Sequence, residues 1–280
     1  MTGFVVLHYL AYEMTLQCTE SLLALSGEKH IVLVDNASPN GSGQKLAEHY
    51  AGHPEVTVLP SPQNQGFARG NNLGYNYLRE HFSCEFILVL NNDVLIPDTA
   101  FIGKVKAIYE KTPFAVLGPD ILNPRSGEHQ NPALPRGFSR EEVLALRSRY
   151  QKDLAHFYWR RFKWSLKKWF VHKPEPVQKP WRESARNVVL HGSCYIFSQE
   201  FIRVREHAFN PRTFLYFEED ILHYECLRQG LVLLYSPEVQ ILHLEDVATD
   251  KAYRTPARKE KMKLQESIRS MDVLLKLMNP

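Results

Sequence analysis

Phe86-Ile87-Leu88-Val89-Leu90-Asn91-Asn92-Asp93-Val94 decides how the rest of the chain is read. Five consecutive apolar residues, with aromatic and β-branched members, read as a strand buried on both faces. The chain then turns polar at Asn91, Asn92 and Asp93. A carboxylate therefore stands at the carboxyl end of a central strand, the edge of an open α/β sheet where ligands bind. Asp93 is the hard oxygen ligand that Mg²⁺ or Mn²⁺ accepts, and such ions reach phosphates through one or two carboxylates. Asn-Asn-Asp also makes turns and caps helices, so a plain turn before the helix that follows Pro97 is the competing reading.

Upstream, strand and helix signals alternate. Phe4 to His8 reads as a strand, Ala11 to Leu25 as a helix, and Ile31 to Val34 as a second buried strand that ends in Asp35-Asn36-Ala37-Ser38. A helix from Gly43 to Tyr50 and a strand from Val56 to Leu59 follow, the signature of a parallel sheet with covering helices. Asn64-Gln65-Gly66-Phe67-Ala68-Arg69-Gly70-Asn71-Asn72-Leu73-Gly74 is a glycine-rich loop entering a helix that ends near Glu80. It matches neither the dinucleotide fingerprint nor a Walker loop. Its glycines either let the backbone approach a ligand or serve tight packing. Beyond the central strand come a helix from Asp98 to Lys111 and a strand from Ala115 to Leu117.

After Gly118 the alternation stops. Residues 123–187 read as an insertion whose middle, Arg147 to Lys173, holds nine Lys or Arg against one acid, interleaved with aromatic residues. That composition suits a membrane-surface anchor, attracts nucleic acid, or packs its aromatic stripe on the main body. Val188 to Phe197 reads as a strand broken at Gly192 and Ser193, where a ligand could come close to the backbone. Phe214-Leu215-Tyr216-Phe217 then leads into Glu218-Glu219-Asp220 at the start of a helix that runs to Arg228. Acids in a first turn suit the helix dipole, yet three adjacent carboxylates beneath an apolar lead raise one another's pKa, the setting of a general base. Val232 to Tyr235 and Val239 to Leu242 read as two short strands, the second ending in His243, a candidate second metal ligand. An amphipathic helix from Pro256 to Met278 is expected to pack on the body or on another subunit, a homodimer being the second option.

Global composition narrows little. Thirty-four Lys+Arg against 31 Asp+Glu leave +3 in 280 residues, so net charge names no partner. Four dispersed cysteines without a CxxC pair argue against a zinc ribbon or a disulfide framework. No basic leader and no long apolar run stand out, so a soluble cytoplasmic protein is expected.

In this order, Asp35-Asn36, the glycine-rich loop, Asn91-Asn92-Asp93, His191-Gly192-Ser193, Glu218-Glu219-Asp220 and His243 resemble the family 2 glycosyltransferases of the GT-A fold, in particular their bacterial rhamnosyltransferase-like group. The resemblance implies an α/β fold with a mostly parallel central sheet and helices on both faces. It divides the chain into a nucleotide-sugar half (1–122), the basic insertion (123–187), an acceptor and catalytic half (188–246) and a terminal helix (247–280). The resemblance implies that Asp35 and Asn36 read the nucleobase beside His8 and Tyr9, and that Arg69, Asn71 and Asn92 hold the nucleoside diphosphate. It makes Asp93 and His243 ligands of Mg²⁺ or Mn²⁺, with Asn91 standing where relatives carry a further acid. His191, Gly192, Ser193 and Glu218 fall on the acceptor side, and Glu219 or Asp220 is the base, Glu219 preferred. The implied reaction is an inverting, metal-dependent transfer from dTDP-rhamnose or a UDP-hexose to a glycan or lipid-linked acceptor of bacterial surface polysaccharide. Peripheral contact with the inner face of the membrane through 147–173 would serve that acceptor, and nucleic acid is not expected. The rival classes are a sugar nucleotidyltransferase, which would show a glycine-rich loop after the first strand, and a non-catalytic basic membrane- or RNA-binding module.

Overall fold

The computed structural model describes residues 1–157, 181–245 and 255–279. Most of the basic aromatic stretch, and with it the expected membrane contact, lies outside the described residues.

The first half follows the sequence pattern closely. Strands β1 (Thr2–His8), β2 (Lys29–Asp35), β3 (Val56–Pro60) and β4 (Phe86–Asn91) are joined by helices α1 (Tyr12–Leu23), α2 (Ser42–His49) and α3 (Gly66–His81). Strand β5 (Val94–Leu95), helix α4 (Phe101–Lys111) and strand β6 (Val116–Leu122) come next. Alternate residues of each strand point to opposite faces. Phe4, Val6, Ile31, Leu33, Leu88 and Leu90 thus pack beneath α1, α2 and α4. Val5, Val32, Val34, Ile87 and Val89 pack on the other side with Tyr75 and Leu78 of α3. The central strand is buried on both faces, as the apolar run of residues 86–90 requires.

The second half returns through the same sheet. Helix α5 (Arg140–Ala155) precedes β7 (Ala185–Arg186), β8 (Cys194–Ser198), α6 (Gln199–Val204), α7 (Glu218–Arg228), β9 (Leu233–His243) and α8 (Pro256–Leu277). Among the described residues the sheet runs β3-β2-β1-β4-β8-β6-β9-β5, with β7 also on β9. Six of its nine strands (β1 to β4, β6 and β9) share one direction, and β5, β7 and β8 oppose them. The sheet is therefore mixed and mostly parallel. Because β8 runs against β4, its entry loop His191-Gly192-Ser193 stands beside the exit of β4, where Asn91 N–H donates to the Ser193 carbonyl at 2.9 Å.

Two expectations change. The two short strands after residue 232 are one strand of 11 residues, β9. Pro237 does not break it because the register against β6 jumps from Pro119↔Ser236 to Asp120↔Gln240, a bulge that asks no ladder N–H of the proline. The strand expected over Val188–Phe197 begins only at Cys194, with Val189 held by an isolated bridge to Leu134. Helix α8 packs on the body, where Met271 and Leu274 meet Val143 of α5 and Ile221 of α7.

Candidate active site

At the carboxyl ends of the parallel strands lies a cavity of about 360 Å³. Its walls come from distant parts of the chain: Tyr9 after β1, Asn36 after β2, Asn64, Gly66 and Phe67 at the head of α3, Asn91 to Asp93 after β4, His191 to Ser193 before β8, and Phe214 to Tyr216 with Glu218 and Glu219 at the head of α7. Register explains the convergence, since Asp35 pairs with His8 and Asn91 with Leu7, so β2, β1 and β4 end within one residue of each other.

On one side Asp93 and His243 meet. Val94 of β5 pairs with His243 of β9, and Leu244 N–H donates to the Asp93 carbonyl at 2.9 Å, so the strand pairing itself brings the two residues together. His243 Nε2 lies 3.4 Å from Asp93 Oδ1. Both side chains are buried, and Asp93 Oδ1 has no hydrogen-bond partner among the described residues. His243 Nδ1 contacts Gln130 Oε1 at 2.8 Å, and the His191 ring stands 5.7 Å from that of His243. No group of three or more His, Cys, Asp or Glu side chains arranged to hold a metal occurs among the described residues. A buried carboxylate oxygen without a donor, facing an imidazole nitrogen, does fit a divalent cation that takes its remaining ligands from a diphosphate and water.

The opposite wall is acidic. Tyr216 and Phe217 adopt left-handed backbone, with φ of 70° and 66°, and turn the chain into α7 so that its first residues enter the sheet edge. Glu218 and Asp220 are buried, and one oxygen of each lacks a hydrogen-bond partner among the described residues. Burial, with the Glu219 charge second, pushes both carboxyls up to about 8. Burial also raises Glu219, against which Lys263 of α8 supplies an opposing charge. Glu218 and Glu219 line the cavity, and Asp220 does not. The aromatic lead read from the sequence as a desolvating cover does form this wall, with Phe214, Leu215 and Tyr216 all on the cavity.

The remaining residues singled out from sequence separate into two sets. Tyr9, Asn36, Asn92, His191, Gly192 and Ser193 line the cavity. The Asn36 amide binds the glycine-rich loop, accepting from Gln65 N–H at 2.7 Å and donating to the Gly66 carbonyl at 3.2 Å. Asn92 donates to Thr15 Oγ1 at 3.0 Å, which anchors the strand-end turn on α1. The His8 side chain corrects expectation: it is buried with Nδ1 on Thr15 and Nε2 on Ser42, each at 2.7 Å, and burial lowers its pKa to about 4. A neutral imidazole bonded at both nitrogens is a fastening for α1 and α2. Arg69 is exposed and Asn71 folds back onto the Phe67 carbonyl, so neither lines the cavity. Asp35 stands beside it, accepting from Ser38 N–H at 3.1 Å.

Gly66, Phe67 and the Phe214 backbone form a junction missed as such in the sequence. Gly66 has φ of 74°, and a Cβ there would lie 2.2 Å from the Phe214 carbonyl oxygen, which accepts from Phe67 N–H at 2.7 Å. The positive φ and the close approach both demand glycine. Gly70 and Gly74 instead admit Leu7 and Val5 of β1, the packing alternative.

A mixed, mostly parallel sheet of this order is the fold of the GT-A glycosyltransferases. The fold matches the mannosyltransferase PcManGT from Pyrobaculum calidifontis, solved with GDP-Man and Mn²⁺, with a TM-score of 0.55 at 12% identity over 100% of this chain and 76% of that one. The chain belongs to glycosyl transferase family 2, whose family model matches residues 4–172. Among relatives, it is 24% identical over 223 residues to the low-salt glycan biosynthesis hexosyltransferase Agl10 of Haloferax volcanii, spanning 80% of this chain and 61% of that protein. It is 25% identical over 233 residues to the N-acetylglucosaminyl-diphospho-decaprenol L-rhamnosyltransferase of Mycobacterium tuberculosis, spanning 79% of this chain and 69% of that enzyme.

Proposed function

We propose that the chain is a hexosyltransferase of glycan assembly, moving a sugar from a nucleotide-diphosphate donor to a hydroxyl of a glycan or lipid-linked acceptor, with inversion at the anomeric carbon. The observation that carries this reading is the two-walled cavity, with the Asp93 and His243 pair on one side and Glu219 on the other. Family membership supports the transfer, and the relatives' names, which specify hexosyl and rhamnosyl transfer, support the sugar class. Asp35 and Asn36 would read the nucleobase, and the head of α3 would face the diphosphate.

Asp93 and His243 would hold Mg²⁺ or Mn²⁺, which when bound neutralises charge developing on the leaving diphosphate. Asn91 in place of a further acid makes this a less negative seat. Glu219 removes the acceptor proton as the hydroxyl attacks from the face opposite the leaving group. Its position on the cavity favours it over Asp220. Burial raises all three carboxyls, Glu218 and Asp220 to about 8, while Lys263 opposes the rise at Glu219, which favours Glu219 as the ionised member of the trio. Ser193 Oγ stands 3.1 Å from His191 Nδ1 on the cavity, a pair assigned here to acceptor contacts rather than to a covalent route.

The test pairs binding with turnover. UDP-, dTDP- and GDP-sugars are screened with Mn²⁺ by thermal shift, and the donor found is assayed with soluble and lipid-linked acceptors. A donor that raises Tm only with cation present, together with a loss of turnover of about 10²-fold or more in Glu219→Gln, is expected. Normal turnover in Glu219→Gln would remove the base assignment. Absence of any nucleotide-sugar shift would remove the transferase reading.

A further inference from the structure

We infer that Gln130 and Glu245 are positioning residues that fix the His243 ring in one tautomer, so that its Nε2 lone pair faces Asp93 and the cation seat. The inference rests on the cation reading above and adds to it two residues that touch neither donor nor cation.

The argument is one of donors and acceptors. Gln130 is 5% exposed and lies in the loop after β6, where its own N–H donates to the Ile121 carbonyl at 2.8 Å. Its side chain lies between His243 and Glu245: Oε1 stands 2.8 Å from His243 Nδ1, and Nε2 donates to Glu245 Oε1. A carboxylate only accepts, so Glu245 requires the amide NH₂ to point toward it. The reversed amide would set its oxygen against the Glu245 carboxylate, two acceptors in contact. Glu245 therefore orients Gln130, and the amide oxygen, now turned to the imidazole, must be met by a proton on Nδ1. With the proton there, Nε2 of a neutral ring is an acceptor, and at 3.4 Å it faces Asp93 Oδ1, an acceptor without a hydrogen-bond partner among the described residues. Two buried acceptors turned toward each other call for a cation between them. A metal-bound histidine whose other nitrogen donates to an oriented acceptor has the same logic, and losing that acceptor costs about 10- to 100-fold in metal affinity.

The surroundings keep the relay in place. Asn131, next in the chain, is fully buried; it donates to the Pro119 carbonyl at 2.8 Å and accepts from His191 N–H at 3.1 Å. One short loop thus braces both the cation side and the His191 entry of the cavity.

The test uses the full chain and Mn²⁺ alone, titrated by loss of the free-ion EPR signal, alongside ¹⁵N spectra of histidine-labelled, cation-free protein at alkaline pH. Wild type is expected to carry the His243 proton on Nδ1. Gln130→Met, which keeps shape and removes the acceptor, is expected to redistribute that proton and weaken Mn²⁺ binding by about 10- to 100-fold. The double substitution Gln130→Glu with Glu245→Gln exchanges the partners, so the new carboxylate accepts from Nδ1–H and from the new amide; it is expected to restore the tautomer and most of the affinity. A wild-type proton on Nε2, or wild-type Mn²⁺ affinity in Gln130→Met, overturns the inference. If instead Asp93→Asn and His243→Ala bind Mn²⁺ as wild type does, the cation reading itself fails and takes the relay's purpose with it. That result differs from failure of the relay alone, in which those two variants lose Mn²⁺ and Gln130→Met does not. Should Gln130→Met not fold, the double substitution alone decides, since a merely structural role gives no reason for the tautomer to follow the exchanged partners.

Discussion

Asp220 lies beside the cavity without lining it, and its protonation bears on the stability of the fold. Its carboxyl is held up at about 8 by burial and by the Glu219 charge, whereas in the unfolded chain it ionises near 4. Between those limits the folded state binds more protons than the unfolded one, so stability falls as pH rises from about 4 through about 8 and is level above. Asp220→Asn removes that dependence. Its Tm is expected to exceed wild type by several degrees at pH 8.5 and by little at pH 5, a difference on the order of 4 kcal/mol at about 1.4 kcal/mol per pH unit between 5 and 8. A calorimetric scan at the two pH values checks it, and an equal shift at both would refute the assignment. The rate has the opposite sign. On the proposed reading Glu219 works ionised, and burial raises its pKa, so turnover is expected to fall away on acidification at a pH above the ordinary carboxylate range. Asp93 and the acidic trio were legible in the sequence because a carboxylate at a strand end, or three in a row, breaks an apolar pattern. Gln130 was not: an uncharged amide within a Pro-, Asn- and Gly-rich loop carries no local signal, and its value comes from a partner more than a hundred residues away.

Elements carry the next level. Helix α2 begins against the end of β2 so closely that a Cβ on Gly43 would lie 1.9 Å from Asp35 Oδ2. Alanine is the better helix former by about 1 kcal/mol, but its methyl would meet Asp35 from Oδ2 back to Cβ, the last at 2.9 Å, so the carboxylate must turn and the end of β2 must shift with it. Gly43→Ala is therefore expected to lower Tm modestly while displacing the Asp35 carboxylate, lowering nucleotide affinity by about tenfold or more, on the order of a lost charge-assisted hydrogen bond. Isothermal titration with a nucleoside diphosphate decides, and unchanged affinity would exclude Asp35 from base reading. The alternating strands and helices up to β6 could be read directly from periodicity, since each buries residues at a spacing of its own. Strand β9 could not, because Ser236-Pro237 punctuates the sequence as a turn and only the partner strand β6 absorbs it as a bulge. Likewise the antiparallel course of β8 depends on where the chain re-enters the sheet, which no local pattern records.

At the scale of the molecule, α8 braces the acidic wall of the cavity. Met271 is fully buried among Val143, Ile221 and Leu274, and Ser270 Oγ donates to the Leu215 carbonyl at 3.3 Å. Met271→Ala is expected to cost about 2–5 kcal/mol in urea unfolding, as core truncations do, and to loosen the Phe214 to Glu219 wall as well. A loss of stability without any rise in the acceptor KM would show that α8 supports only the core. No described helix is long and apolar enough to cross a membrane. The pairing of Val94 with His243 has a further implication for how the protein comes into being. Synthesis delivers the amino-terminal half first, and the contact that unites Asp93 with its imidazole must wait for a strand from far down the chain. On the proposed reading, an unfinished or truncated product can form the donor-side strands yet cannot seat the ion, so it stays chemically idle until β9 is in.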